Sequence, residues 1–233
     1  MTITWEKYEG YREVTAYPEA FHDERFGIDA LRSAARRAEV LFRGWPFIFV
    51  DDRKGLTTVI GDSLETTIDL TDIRTHEHFE TWQLRMSGLF FHRTLMDEET
   101  YPPALQRGKM LDYIATIYHV SEAVGSLWRL YEALDVPDDE MITMEFRYTG
   151  TAERRLTSWD PFREIFFRNS YVCKTDTVER RKRISLGLWR ATDWSVAAEV
   201  CCEIFQQFQW VDPNRDQIND LAREFLSKVR FAG

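Results

Sequence analysis

Cysteine is scarce in this chain: Cys173, Cys201 and Cys202 are the only three in 233 residues. An odd number with one vicinal pair makes no disulfide framework, and neither spacing nor companions suggest zinc, so a reducing cytoplasm is the expected setting. Long apolar runs are missing as well. Phe47 to Val50 and Leu89 to Phe91 are among the longest, far below the roughly 18 residues of a membrane span. The start, Met1-Thr2-Ile3-Thr4-Trp5-Glu6-Lys7, lacks the cationic opening and apolar stretch of a secretory signal, so a soluble protein with no membrane partner is expected. The 11 glycines are scattered and no Gly-Lys-Ser/Thr occurs, which speaks against nucleotide hydrolysis at a phosphate loop. No Gly-x-Ser-x-Gly elbow exists and Cys173 has no sequence-local base, so nucleophilic catalysis finds no support.

What the chain has is apolar mass and an uneven charge. Hydrophobic residues make up 44% and aromatics 14%, ample for a packed core. The net charge is -9, yet residues 147 to 190 carry 11 Lys/Arg against 5 Asp/Glu. Such asymmetry bears on binding more than on fold.

Periodicity organises the chain. Residues 1–27 show no clear period and mix aromatics with charges, which reads as an irregular N-terminal arm, packed down or serving as a docking segment. Ile28, Leu31, Ala35, Ala38, Leu41 and Phe42 recur at helical spacing before Gly44-Trp45-Pro46. Phe47 to Asp51 reads as a short strand, and Leu64, Thr66, Ile68 and Leu70 as a second. Trp82, Leu84 and Met86 alternate with polar residues, and Ser87-Gly88 reads as a two-residue turn that sets Met86 against Leu89 and Leu84 against Phe91. A loop containing Pro102 and Pro103 leads to a helix over Leu111 to Leu134. A strand from Ile142 to Tyr148 turns at Thr149-Gly150, and Glu153 to Thr157 returns antiparallel. A strand from Val178 to Trp189, with Ile184, Leu186 and Leu188 on one face, precedes two helices, one opening at Thr192 or Asp193 and the last at Asp212-Pro213. The whole reads as α+β, an antiparallel sheet with helices packed on one face. Residues 28–233 form a single α+β domain, with a pseudo-division near residue 138 into two halves of similar helix-and-strand content.

The succession Gly44-Trp45-Pro46-Phe47, Trp82-Gln83-Leu84-Arg85 through Gly88-Leu89-Phe90-Phe91, and Arg129-Leu130-Tyr131-Glu132-Ala133-Leu134 before a Pro-Asp-Asp turn resembles an uncharacterised prokaryotic module. In other proteins that module follows a Schlafen-type, Alba-like nucleic-acid-binding domain. The resemblance runs from about residue 41 to the first C-terminal helix. Its motifs are packing motifs and bring no catalytic residues, and the first 40 residues are too short for the Alba-like domain. It implies an accessory module that stands alone and meets a separately encoded partner, with regulation or antiviral defence as the setting.

Three candidate sites emerge. The first is a basic surface of Arg147, Arg154, Arg155, Arg180, Arg181, Lys182 and Arg183, interleaved with Tyr148, Trp159, Phe162, Phe166, Phe167 and Tyr171, the ingredients of a single-strand or nucleotide-binding surface. On a strand, Arg180 and Lys182 point to one side and Arg181 and Arg183 to the other. The bland alternative is that these arginines guard a sheet edge and pair with acidic loops such as Asp97-Glu98-Glu99 or Asp138-Asp139-Glu140, with the aromatics in the core. The second is a metal site at His76, His78 and His92, with Glu80 near; its alternative is a set of ordinary solvated histidines. His119, one turn from Glu122, reads as a surface pair. The third, a nuclease centre at Glu145-Phe146-Arg147 with Asp138 or Asp139, lacks the usual lysine and a second strand carboxylate. A non-catalytic adaptor or sensor subunit acting through a protein partner or a homo-oligomer is therefore the leading expectation, with no cofactor. Nucleic-acid binding is the first alternative and a metal-dependent hydrolase or nuclease the second.

Overall fold

The computed structural model describes residues 8, 10–41, 45–52, 55–70, 78–100, 110–158, 171–228 and 230–231. Outside them fall residues 1–7 of the expected arm, Phe42 to Gly44, His76, Glu77, the Pro102-Pro103 loop, and Trp159, Phe162, Phe166 and Phe167. The fold is α+β. A seven-stranded sheet runs in the order β11 (Thr177–Ser185), β8 (Met141–Thr149), β1 (Tyr11–Pro18), β6 (Phe90–Leu95), β5 (Phe79–Arg85), β4 (Ser63–Asp69), β3 (Thr57–Ile60), and every pairing in it is antiparallel.

Strand β1 (Tyr11–Pro18) lies in the middle of that sheet, between β8 (Met141–Thr149) and β6 (Phe90–Leu95). This corrects the reading of residues 1–27 as an irregular arm. The alternation was hidden because Arg12 shares the inner face with Val14 and Ala16, so charge occurs on both sides of the strand. The sheet is continuous across residue 138, since β8, which follows it, pairs directly with β1.

Helix α1 (Ile28–Arg37) buries Leu31, Ala34 and Ala35, the stripe its spacing announces. It stops short of Phe42, because the chain leaves at Ala38 for the short strand β2 (Val40–Leu41), which pairs with β12 (Arg230–Phe231). The strand expected at Phe47 to Asp51 does not form. Pro46 makes a single bridge to Leu41, and Phe47 and Ile48 enter the core without a partner strand. Strands β3 (Thr57–Ile60) and β4 (Ser63–Asp69) make one hairpin; β5 (Phe79–Arg85) and β6 make another.

The β5-β6 turn differs from expectation by one residue. Arg85 N donates to Leu89 O at 2.9 Å and Gly88 N to Arg85 O at 2.8 Å, with Gly88 at φ 87°. The loop is thus three residues with glycine in the left-handed position, and Leu84 faces Phe90, not Phe91.

After the four-residue helix α2 (Asp97–Thr100), strand β7 (Met110–Asp112) leads into α3 (Tyr113–Ala133). Asp112 caps it, its Oδ1 accepting from Ala115 N at 2.7 Å. Asp135, at φ 55°, closes it through Asp135 N to Glu132 O and Val136 N to Tyr131 O, a Schellman motif with aspartate in place of glycine. The helix is buried nearly all round, from Val120 through Leu127 without a break. It is sandwiched: α1 lies against it and β4, α5 (Asp193–Gln207) against it and β11 (Thr177–Ser185), and α6 (Arg215–Ser227) against α3 and α5.

Two C-terminal expectations are corrected. Strand β9 (Arg155–Thr157) does not return on β8; it pairs parallel with β7 and antiparallel with β10 (Tyr171–Val172) in a separate sheet. Strand β11 ends at Ser185, where the chain enters a short helix, α4 (Leu186–Ala191). There Leu186 N and Gly187 N donate to Glu140 O and Asp138 O, and a Cβ on Gly187 would meet Asp138 at 3.1 Å. Leu188 is consequently 56% exposed while Leu186 is buried. Helix α6 starts two residues later than expected, with Asn214 as its cap. Among the described residues no helix is long and apolar enough to cross a membrane.

Candidate functional site

The cations of the basic segment do not form one surface. Arg147 lies on the sheet face away from the helices, in the cross-strand row Glu179, Arg147, Glu13, Arg93. Charges alternate along that row. Arg147 Nε is 3.0 Å from Glu179, Arg147 Nη1 is 3.7 Å from Glu13, and Arg93 pairs with Glu13 while lying over the Tyr11 ring. On the same face Arg181 donates to Tyr17 Oη at 2.8 Å and lies 3.4 Å from Glu145, and Arg183 grips Glu19 with two nitrogens. The Arg183 guanidinium holds the Glu19 carboxyl below its ordinary range.

Arg180 and Lys182 point the other way, as alternation requires. Arg180 donates to Glu203 O at 3.0 Å, and Lys182 pairs with Glu199, both acceptors on α5. Their long stems reach along the helix layer, which lets a charged strand sit on a core.

Arg154 is not a surface residue at all: it is 0% exposed. It donates to Gly150 O, to Met110 O at 3.2 Å and to Glu99, itself buried. The arginine ties β9 to β7 and α2. Arg155, exposed on β9, belongs to the small sheet. The seven cations thus divide among the outer face of the large sheet, its helix-covered side, the interior and a second sheet. The candidate basic surface is therefore divided into separate, largely paired groups.

Of the described metal candidates, His92 is buried and His78 is partly exposed. His78 Nε2 lies 2.8 Å from Glu80 Oε2, which also accepts from Trp45 Nε1 at 3.1 Å. His92 packs its ring against Phe47, with centroids 4.5 Å apart. Glu80 and His92 both face the helices, one step apart along the strands, since Glu80 opposes Thr94 and Trp82 opposes His92. His119 is not a surface residue either. Its side chain is 10% exposed, its Nε2 lies 2.8 Å from Asp97 Oδ2, and Arg12 reaches the same Asp97 at 3.3 Å. Glu98 beside them accepts from Asp112 N at 2.7 Å.

Burial governs the protonation of this group. It pushes Glu98 up to about 7, aided by Asp97; it raises Glu80; and it holds His92 well below 6.5, with Arg12, His78 and His119 acting in the same direction. Burial thus favours the neutral over the charged forms of Glu98, Glu80 and His92. The group's polar atoms are turned mostly to one another, although His92 Nε2 and Glu80 Oε1 have no hydrogen-bond partner. His76, the third of the expected metal ligands, lies outside the described residues. Among the described residues no three His, Cys, Asp or Glu side chains group so as to hold a metal ion.

A further feature went unread in the sequence. Strand β3 forms one end of the large sheet; among the described residues β4 is its only partner strand, and Leu56 N and Thr57 N donate to Asp51 O. From Leu56 to Ile60 it carries no charge, and Leu56, Val59 and Ile60 are 36%, 48% and 56% exposed. They are half of the exposed large apolar side chains among the described residues. The opposite end, β11, has Glu179, Arg180, Arg181, Lys182 and Arg183 in succession. A charged edge resists pairing with another chain, and an apolar, uncharged one invites it. The available signal was the β-branched run Thr57-Thr58-Val59-Ile60 between Gly55 and Gly61.

No protein-family model matches the chain, and no curated protein and no solved structure is found similar to it.

Proposed function

We propose that this chain is a non-catalytic protein-recognition module, an adaptor or sensor subunit working in the cytoplasm, and that it recognises its partner by strand addition at β3. The observation that carries this reading is the uncharged β3 strand at one end of the sheet, where Leu56, Val59 and Ile60 are exposed although Leu56 N and Thr57 N are taken up by Asp51 O, in a sheet whose other end is densely charged. Backbone groups at such an edge give affinity, and the alternate side chains give selectivity. Nucleic acid fits less well. Phosphate binding draws on cations free to release counterions, whereas Arg147, Arg181, Arg183 and Lys182 each face a carboxylate on a chain of net charge -9.

The reading is tested by presenting wild-type protein and a Val59→Lys variant, both folded by circular dichroism, as paired baits to native extract. Proteins retained by the wild type and lost from the variant are expected. Retention that is identical for both baits contradicts docking at β3.

A further inference from the structure

Independently of any docking at β3, we infer that Glu80 Oε1 and His92 Nε2 hold a buried water molecule between them. Both atoms are shut off from solvent and neither has a hydrogen-bond partner; their residues are 3% and 4% exposed. They stand at diagonal positions on one face of a strand pair, because Glu80 opposes Thr94 and His92 opposes Trp82. Side chains as long as these meet across such a diagonal.

Neither side chain is at liberty to turn elsewhere. The second oxygen of Glu80 is held by His78 Nε2 at 2.8 Å and by Trp45 Nε1 at 3.1 Å, which fixes the carboxylate and the direction of Oε1. The His92 ring packs against Phe47, with centroids 4.5 Å apart, and lies nearly parallel to Phe90 at 6.5 Å, so swinging it away would displace packed aromatics. Buried polar atoms are satisfied as a rule. In a packed core the partner of two fixed, orphaned atoms must be small, and buried waters occupy such places.

The surrounding chemistry selects the molecule. Arg12, diagonal to His92 on β1 and turned to the same face, acts electrostatically on both Glu80 and His92 and disfavours a further cation; the Glu80 carboxyl disfavours an anion. Among the described residues no three His, Cys, Asp or Glu side chains group so as to hold a metal ion. A neutral molecule that both donates and accepts is what remains. Water meets that need whichever of the two side chains carries the proton, since it can donate to a carboxylate oxygen or accept from a carboxylic acid, and do either at an imidazole nitrogen.

A crystal structure of the wild type tests the site directly, and magnetic relaxation dispersion of the solvent tests it in solution by counting long-lived internal waters. The expected result is one ordered water about 2.6–3.2 Å from both Glu80 Oε1 and His92 Nε2. His92→Phe, which keeps a ring and removes Nε2, should lose one long-lived water. Glu80→Gln, which keeps both an acceptor and a donor, should retain it. Density that shows the two atoms in direct contact, an ion between them, or no ordered molecule there overturns the proposal. So does a count that is the same in wild type and in folded His92→Phe.

Discussion

Glu98 sits in an environment that couples the protein's stability to pH. Buried beside Asp97 and accepting from Asp112 N, it holds its proton up to about pH 7, against an ordinary value of 4.5. The sign follows from which state keeps the proton. Between those two values the folded state is protonated and the unfolded chain is not, so Glu98's contribution is complete below about pH 4.5 and is lost as pH rises through about 7. Glu80, also raised, acts in the same direction, whereas His92, lowered by burial, loses stability as pH falls below 6.5. Glu98→Gln keeps the acceptor for Asp112 N and removes the titration. Its urea-derived stability relative to wild type should improve by about 3 kcal/mol between pH 4.5 and about pH 8, and a difference that stays constant across that range contradicts the assignment. Much of this was legible: Glu80 shares a strand face with Trp82 and Leu84, so the alternation already turned it inward. Arg12 and Asp97 were not, because nothing local in the sequence says that β1 and α2 meet near α3.

At the scale of elements, what could be read was what has a period. Leu64 to Leu70, Trp82 to Met86 and Ile142 to Tyr148 alternate cleanly and became β4, β5 and β8, and α1 and α3 follow their helical stripes. Strand β1 was lost because an inward arginine breaks the pattern. The β5-β6 register slipped because Gly88 adds one left-handed residue, and a one-residue slip flips the face of every following side chain. The end of β11 is decided by tertiary contact, where the turn at Asp138 to Glu140 takes up the amides of Leu186 and Gly187. Charge on β11 and on the outer face acts within the fold, so reversing it should leave recognition untouched. Wild type is expected to give no salt-sensitive gel shift with single-stranded DNA or RNA, and Arg181→Glu with Arg183→Glu should alter neither that result nor association through β3. A shift at low salt that the double variant abolishes contradicts this and restores a nucleic-acid function.

At the scale of the whole molecule, one sheet has two unlike ends. The β11 end carries five charged residues in a row and β3 none. A net charge of -9 keeps copies apart in general, so the proposed docking is placed where charge is lowest, at β3. Amide hydrogen exchange, followed as protein concentration or a captured partner is raised, tests this most directly because it reads the strand's own backbone. Docking at β3 predicts slowed exchange at Val59 and unchanged exchange in β11; protection gained at β11, or none at Val59 while complex forms, would contradict it.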